Sequence, residues 1–351
     1  MTDTTANTPN SAAARPEGAI AVYGAYGHTG RFVVAELHRR GRPVVLVGRD
    51  EAKLREFGRR YPDSPVRVAS VDDPESLDRA FVDVGAVINC AGPFLETTLP
   101  VADAAIRAGA HYLDVAAEQA SAITLFDTYT DRAKDAGLVV APAMAFYGGL
   151  GDLLVTAALG DWTSADEITL AFGLDSWLPT EGTRLTGASN AGQHLVFTGG
   201  RLVPFSYSQE VSAWEFAPPL GKQQVNEFST ADQVTIPRHV RTPEVRAVMN
   251  VAALDDVRSA DTPAPTPADD SGRSAQTFVV EAIVRNGGQE RRAVAGGRDI
   301  YAITAPIVVE AAERILTGRY TTTGTVAAGE TFDATSFLTA LTPDHLTRLE
   351  I

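Results

Sequence analysis

From Ala19 to about Leu159 the chain repeats one pattern: a short apolar run of strand length, then an amphipathic stretch of helical length. The runs Ala19–Tyr23, Val44–Val47, Val66–Val71, Ala86–Asn89, Tyr112–Val115 and Leu138–Ala141 are mostly apolar rather than alternating, as strands covered on both faces must be. Between them Gly30–Arg40, Glu75–Val82, Pro100–Ala108 and Ala120–Ala136 carry helical spacing. Gly41, Gly109 and Gly137 stand where helices end on a left-handed residue. This alternation predicts an α/β fold with a doubly wound parallel sheet of the Rossmann kind.

The 351 residues are too many for that sheet alone, and about right for two domains. After about Asp161 the texture changes. Glu167–Leu174 and Thr277–Val284 read as strands, and the second runs through Arg285-Asn286-Gly287-Gly288 into Glu290–Ala295 as a β-hairpin. Trp177 to about Asp256 reads as irregular, and Ser259–Ser274, with its Pro-Ala-Pro-Thr-Pro core, as a mobile loop or linker. Ile303–Leu316 has the spacing of a strong helix, and Phe332–Leu341 that of a short one.

Charge and cysteine content narrow the function classes. A formal net charge of −14 repels nucleic acid and anionic membrane surfaces, although a local basic pocket for one phosphate stays open. No stretch approaches the roughly 20 apolar residues of a membrane span. The single cysteine, Cys90, leaves no intrachain disulfide and points to a reducing, cytoplasmic setting. Residues 1–18 lack a signal pattern and read as a disordered tail.

The first apolar run leads directly into Gly24-Ala25-Tyr26-Gly27-His28-Thr29-Gly30, which opens the first helix. That is the context a dinucleotide fingerprint requires: Gly24 for a tight turn, Gly27 for close approach of the pyrophosphate, Gly30 for helix packing. The amides at the helix start then hold the phosphates. An NAD site usually ends its second strand on an acid; here the strand ends on Arg49, followed by Asp50 and Lys53. A guanidinium suits the 2′-phosphate of NADP, and Lys53 would add a second charge. The competing reading has Arg49 covering the sheet edge while Asp50 caps the next helix and binds the ribose. Asp72, after the third strand, is either an adenine neighbour or a helix cap.

At the end of the fourth strand, Asn89-Cys90-Ala91-Gly92-Pro93-Phe94 offers small residues against which a nicotinamide ribose can lie. Cys90 has no nearby base and reads as a packed, inert thiol beside the cofactor. Here the chain resembles the saccharopine dehydrogenase-like superfamily, in particular the branch that includes trans-acting enoyl reductases. The matching pieces are Gly24–Gly30 with Arg31, Val47-Gly48-Arg49, Asn89–Phe94, His111-Tyr112-Leu113-Asp114-Val115 with Glu118, and the closing stretch from Ile303 through Phe332–Leu338. The resemblance implies an NADP-binding Rossmann domain over 19–159, an inserted α+β substrate domain over 160–302, and a segment, 303–351, returning to the first domain. Ala145–Asp152 departs from the turn common among relatives.

A reductase takes its hydride from the cofactor and often a proton from the protein. Tyr147, in a glycine-flanked loop after the sixth strand, is the expected proton donor. Asp114 and Glu118, near the carboxyl end of the fifth strand, would orient substrate or ribose, whereas His111 and His194 read as structural or exposed. No metal spacing and no paired-carboxylate cluster stands out. These residues, with the bond type implied by the resemblance, give an NADPH-dependent reductase of an activated C=C or C=N bond in a small or carrier-bound biosynthetic substrate, as a monomer or a homodimer. The alternative is a non-catalytic NADP(H)-sensing regulator.

Overall fold

The computed structural model describes residues 18–189, 194–206 and 210–351. Of the expected tail, residues 1–18, all but Gly18 lies outside them. The chain begins β1 (Ala19–Tyr23), α1 (His28–Arg39), β2 (Val44–Gly48), α2 (Glu51–Gly58), β3 (Val66–Val68) and α3 (Pro74–Ala80). It continues β4 (Val84–Asn89), α4 (Phe94–Arg107), β5 (His111–Asp114), α5 (Gln119–Asp135), β6 (Val139–Ala141) and α6 (Gly149–Leu159). Pro100, which reads as a helix start, lies inside α4.

Beyond α6 the order is β7 (Glu167–Leu174), α7 (Glu181–Ser189), β8 (Leu195–Thr198), β9 (Arg201–Pro204), β10 (Ser212–Phe216), β11 (Gly221–Glu227) and α8 (Asp232–Thr235). Then come β12 (Val245–Asn250), α9 (Val251–Arg258), β13 (Thr277–Asn286), β14 (Gln289–Arg298) and α10 (Ile300–Leu316). The last elements are β15 (Gly324–Thr325), α11 (Ala328–Thr331), α12 (Ala334–Ala340) and β16 (Leu346–Glu350).

The stretch 177–256, expected to be irregular, is instead structured: α7, five strands and α8 fall inside it. Its strands β8 to β11 hide from periodicity because they are half-exposed or polar; β11 reads Gly-Lys-Gln-Gln-Val-Asn-Glu and buries only Val225. The expected β13–β14 hairpin is present, turning on Gly287 and Gly288 at φ +57° and +77°, the left-handed pair that a two-residue hairpin turn demands.

Two sheets result. The first has seven strands in the order β15-β6-β5-β4-β1-β2-β3, and every pairing is parallel. Its order reverses between β1 and β4, and a crevice opens beyond the carboxyl ends of strands at such a reversal. The second is mixed, with β10-β11-β12-β7-β13-β14-β16 as its spine and β8–β9 branching from β12. Helix α6 packs on β13 and β14, and α10 packs on α1. The final segment serves both sheets: β15 extends the first beside β6, and β16 extends the second beside β14.

Candidate functional site

The turn after β1 shows three glycines with three different reasons. Gly24 has φ +82°, and a Cβ there would stand 2.9 Å from the Ala91 amide nitrogen on the neighbouring strand end. A Cβ on Gly30 would stand 2.1 Å from the Gly24 carbonyl oxygen. Both are required by the chain itself. Gly27 is different: its nearest neighbour would be the Gly24 oxygen at 3.1 Å, with nothing beyond. Its outer face is open. Gly27 also caps α1 without a side chain, and no acid lies in the first turn. The amide of Arg31 bonds Gly27 O at 3.0 Å, while the amides before it point past the helix end, a ready anion site.

At the adenine end, the Tyr26 ring lies on Gly48, where a Cβ would meet Cε1 at 2.6 Å, and the Tyr26 hydroxyl accepts the Asp50 amide at 3.3 Å. Arg49 is exposed and makes no ion pair or hydrogen bond among the described residues. Asp50 caps α2, accepting the Lys53 amide at 3.0 Å, with the exposed Lys53 ammonium 3.8 Å away. Asp72 is not a helix cap: it is exposed beside Ser70, and Asp73 caps α3. Arg49 and Asp72 both act electrostatically on Tyr23, which places them at the mouth of β1. An unpaired guanidinium beside an open amide cradle fits a phosphorylated dinucleotide.

The loop Ala91–Phe94 rests on a buried polar ladder. Asn89 donates to Thr97 and to the Tyr112 hydroxyl, and its Oδ1 accepts the Ala91 amide at 3.0 Å. Tyr112 donates to Asp114 Oδ2 at 3.0 Å, as strand alternation predicts. Asp114 is fully buried and accepts the Ala116 and Ala143 amides as well. Its role as a residue facing substrate is therefore corrected: it ties the ends of β5 and β6 together. Burial raises its carboxyl to about 6 against those donors. Cys90 is half-buried, its thiol pushed far up by burial and by Asp114.

Glu118 is also buried, and it binds protein rather than projecting into the cleft. Its Oε1 accepts the Phe94 amide, the first of α4, at 3.1 Å, and the Thr186 hydroxyl of α7 at 3.1 Å. It acts as a cap supplied from elsewhere in the chain. Tyr147 is nine-tenths buried among Phe146, Phe172, Trp177 and Phe228. It does not stand in an open glycine loop as expected; it packs against the wall built by the second sheet. His111 accepts the Val139 amide at 3.0 Å, far from the crevice. Of the motif around His194, residues 190–193 lie outside the described residues.

The fold also assembles a carboxylate pair that no spacing reveals. Asp152 of α6 and Asp232 of α8 are fully buried, and the charge of Asp152 adds to the cost of ionising Asp232. Asp232 accepts the Gly148 amide at 3.0 Å, directly after Tyr147, and Asp152 sits 2.7 Å from His239 Nε2. Among the described residues, Asp152 Oδ2 and Asp232 Oδ1 make no hydrogen bond of normal geometry. Burial, then the neighbouring charge, raises Asp232 to about 7. For His239, burial opposes the charge, but Asp152 and Glu330 outweigh it and raise the pKa.

Residues 20–140 match the family model of the saccharopine dehydrogenase NADP-binding domain. The first domain is thus similar to the NADP-binding domain of saccharopine dehydrogenase. The chain is 30% identical over 142 residues to a probable mitochondrial saccharopine dehydrogenase-like oxidoreductase of Arabidopsis thaliana, covering 36% of this chain and 31% of that one. It is 28% identical over 148 residues to a trans-acting enoyl reductase of Mycobacterium ulcerans, covering 40% and 35%. Each match thus spans about a third of the relative's own length. The whole fold resembles apo saccharopine dehydrogenase (L-Glu forming) of Saccharomyces cerevisiae, with a TM-score of 0.64 at 11% identity over 95% of this chain and 99% of that one. That likeness is one of fold.

Proposed function

We propose that this protein is an NADPH-dependent reductase of an activated C=C or C=N bond in a small or carrier-bound biosynthetic substrate, working in the cytoplasm. The observation that carries the reading is the meeting of two halves. The nicotinamide loop Ala91–Phe94 of an NADP-binding domain is joined through Glu118 to α7, and α7 is joined through Tyr301 to Trp177, which packs in the aromatic cluster with Tyr147 and Phe228. The similarity of the first domain to a trans-acting enoyl reductase supports the bond type.

When bound, NADPH supplies a hydride. The chain's own residues do the rest. Amides at the start of α1 hold the phosphates, Arg49 and Lys53 meet the 2′-phosphate, and Glu118 fixes the loop at Phe94. The proton comes from the floor of the cleft. Tyr147 holds it at its phenolic oxygen, next to Gly148, whose amide is bound by an Asp232 carboxyl still protonated near neutrality.

Fluorescence titration tests the cofactor arm. Arg49→Ala should weaken NADPH about ten- to hundredfold and leave NADH unchanged, the range of one lost charge-assisted contact; equal affinity of the wild type for both would refute it. Loss of reduced-nicotinamide absorbance, assayed with enoyl thioesters and with amine–oxoacid pairs, tests the reaction. Tyr147→Phe should slow turnover about 10²–10⁴-fold at unchanged NADPH affinity.

A further inference from the structure

Helix α7 belongs to the substrate half, yet it is fastened to the cofactor half at two separate places. Toward its C-terminal end, Thr186 donates to Glu118 Oε1 at 3.1 Å, the same oxygen that accepts the Phe94 amide. Its Oγ1 also lies 3.6 Å from where a Cβ on Gly92 would stand. At the other end, the Thr183 hydroxyl lies 2.8 Å from the Tyr301 hydroxyl, which also accepts the Trp177 indole N–H at 3.1 Å. Tyr301 in turn meets His28 of the phosphate loop edge to face, with ring centres 5.3 Å apart.

His28 adds an independent observation. Its Nε2 is buried and has no hydrogen-bond partner among the described residues. The ring is held on both sides, by Tyr301 and by Phe32 at 5.5 Å, so it cannot turn freely toward water. Burial lowers its pKa and Arg31 does the same, against an opposing pull from Asp299, so the ring is neutral at neutral pH. Buried polar atoms of this kind normally have partners. His28 is the first residue of α1, where the dinucleotide phosphates come to rest.

We propose that bound NADP(H) supplies the missing partner of His28 Nε2, and that α7 is a strap over the dinucleotide, tied to the phosphate loop through Tyr301 and to the nicotinamide loop through Glu118. Cofactor binding then sets the lid of the substrate half before substrate enters. The order of binding rests on the reductase reading given above; the strap itself rests only on the NADP-binding domain. His28 and Tyr301 are positioning residues in this scheme.

The test is hydrogen exchange of the α7 amides in the full chain, with and without saturating NADPH. Wild-type α7 should exchange at least about tenfold more slowly when NADPH is bound, since closing a strap suppresses local opening. His28→Phe keeps the ring contacts and removes the nitrogen. It should weaken NADPH about five- to fiftyfold, as a lost hydrogen bond to a buried group does, and abolish the α7 protection even at saturation. Arg49→Ala should weaken NADPH yet keep the protection at saturation. If the wild type fails to bind NADPH, the cofactor reading falls. If it binds NADPH and α7 exchange is unchanged, the strap is overturned while the cofactor reading stands. If His28→Phe does not fold, His28→Leu takes its place; normal NADPH affinity and full α7 protection in that variant would overturn the His28 contact.

Discussion

Two buried acidic clusters in this protein reach opposite solutions. Behind the phosphate loop, Glu36 of α1 and Glu310 and Glu313 of α10 are nearly sealed from water. Arg40 threads between them, at 2.7 Å from Glu36 and 2.6 Å from each of the other two. Arg42 closes on Glu313 and Arg314 on Glu310, at 2.6 and 2.7 Å. Burial alone would raise the carboxyls of Glu36 and Glu310; the arginine hydrogen bonds, with His345 at Glu36, outweigh it, holding Glu36 well below the usual range and lowering Glu310. Where α6 meets α8, Asp152 and Asp232 have one histidine between them, and Asp152 Oδ2 and Asp232 Oδ1 make no hydrogen bond of normal geometry among the described residues. The first cluster is complete as a joint between helices. The second keeps a carboxyl that burial raises to about 7, and that carboxyl accepts the amide of Gly148, the residue after Tyr147.

Their pH responses carry opposite signs. Glu36 and Glu310 have depressed folded values, so their stabilisation is present above the ordinary carboxylate range and is lost as pH falls. Asp232 is raised from 3.8 to about 7, so its cost is absent in acid, grows between those values and is complete above them. His239, also raised, gives stabilisation below its ordinary value that is lost as pH rises through its folded one.

Arg40→Ala should break the contrast most strongly. It leaves three buried carboxylates short of a partner and should cost about 3–5 kcal/mol in denaturant unfolding at neutral pH. A loss below about 1 kcal/mol would mean that water or Arg42 already satisfies the joint. Asp232→Asn keeps an acceptor for the Gly148 amide and removes the charge. At about pH 8 it should stabilise the fold by up to about 4 kcal/mol, the penalty implied by the raised value, and the gain should vanish toward about pH 4. A variant less stable than wild type at both pH values would show that Asp232 is a structural partner like Glu36. Arg39→Ala removes an arginine that is about half exposed and reaches Glu36 from the solvent side. Here screening leaves about 0–1 kcal/mol, further reduced by salt, which separates the buried core of the first cluster from its rim.

The first sheet was legible in sequence because parallel strands covered on both faces are apolar throughout, and because Gly24 and Gly30 are demanded by the chain's own turn. The second sheet was half legible. Its long central strands β7 and β13 declare themselves, whereas β8 to β11 are too exposed to leave a pattern. For single residues, alternation gives side but not depth. Tyr112 and Asp114 do share a face, yet that face is sealed. Asp152 and Asp232 stand on different helices, and only packing of α6 against α8 makes them a pair.

The division of the last segment between both sheets has a consequence for biosynthesis. A growing chain that has reached the end of α6 presents β6 as a bare strand, since the partner that covers it, β15, lies at Gly324–Thr325. The same holds for β14 until β16 emerges at Leu346–Glu350. Both sheets thus wait, each with a bare outer strand, for the strands between Gly324 and Glu350, and uncovered strand edges pair readily with neighbouring chains. Release from the ribosome before about residue 320 should therefore yield protein that needs a chaperone, and shortening the C-terminus should harm solubility well before it touches the cofactor site.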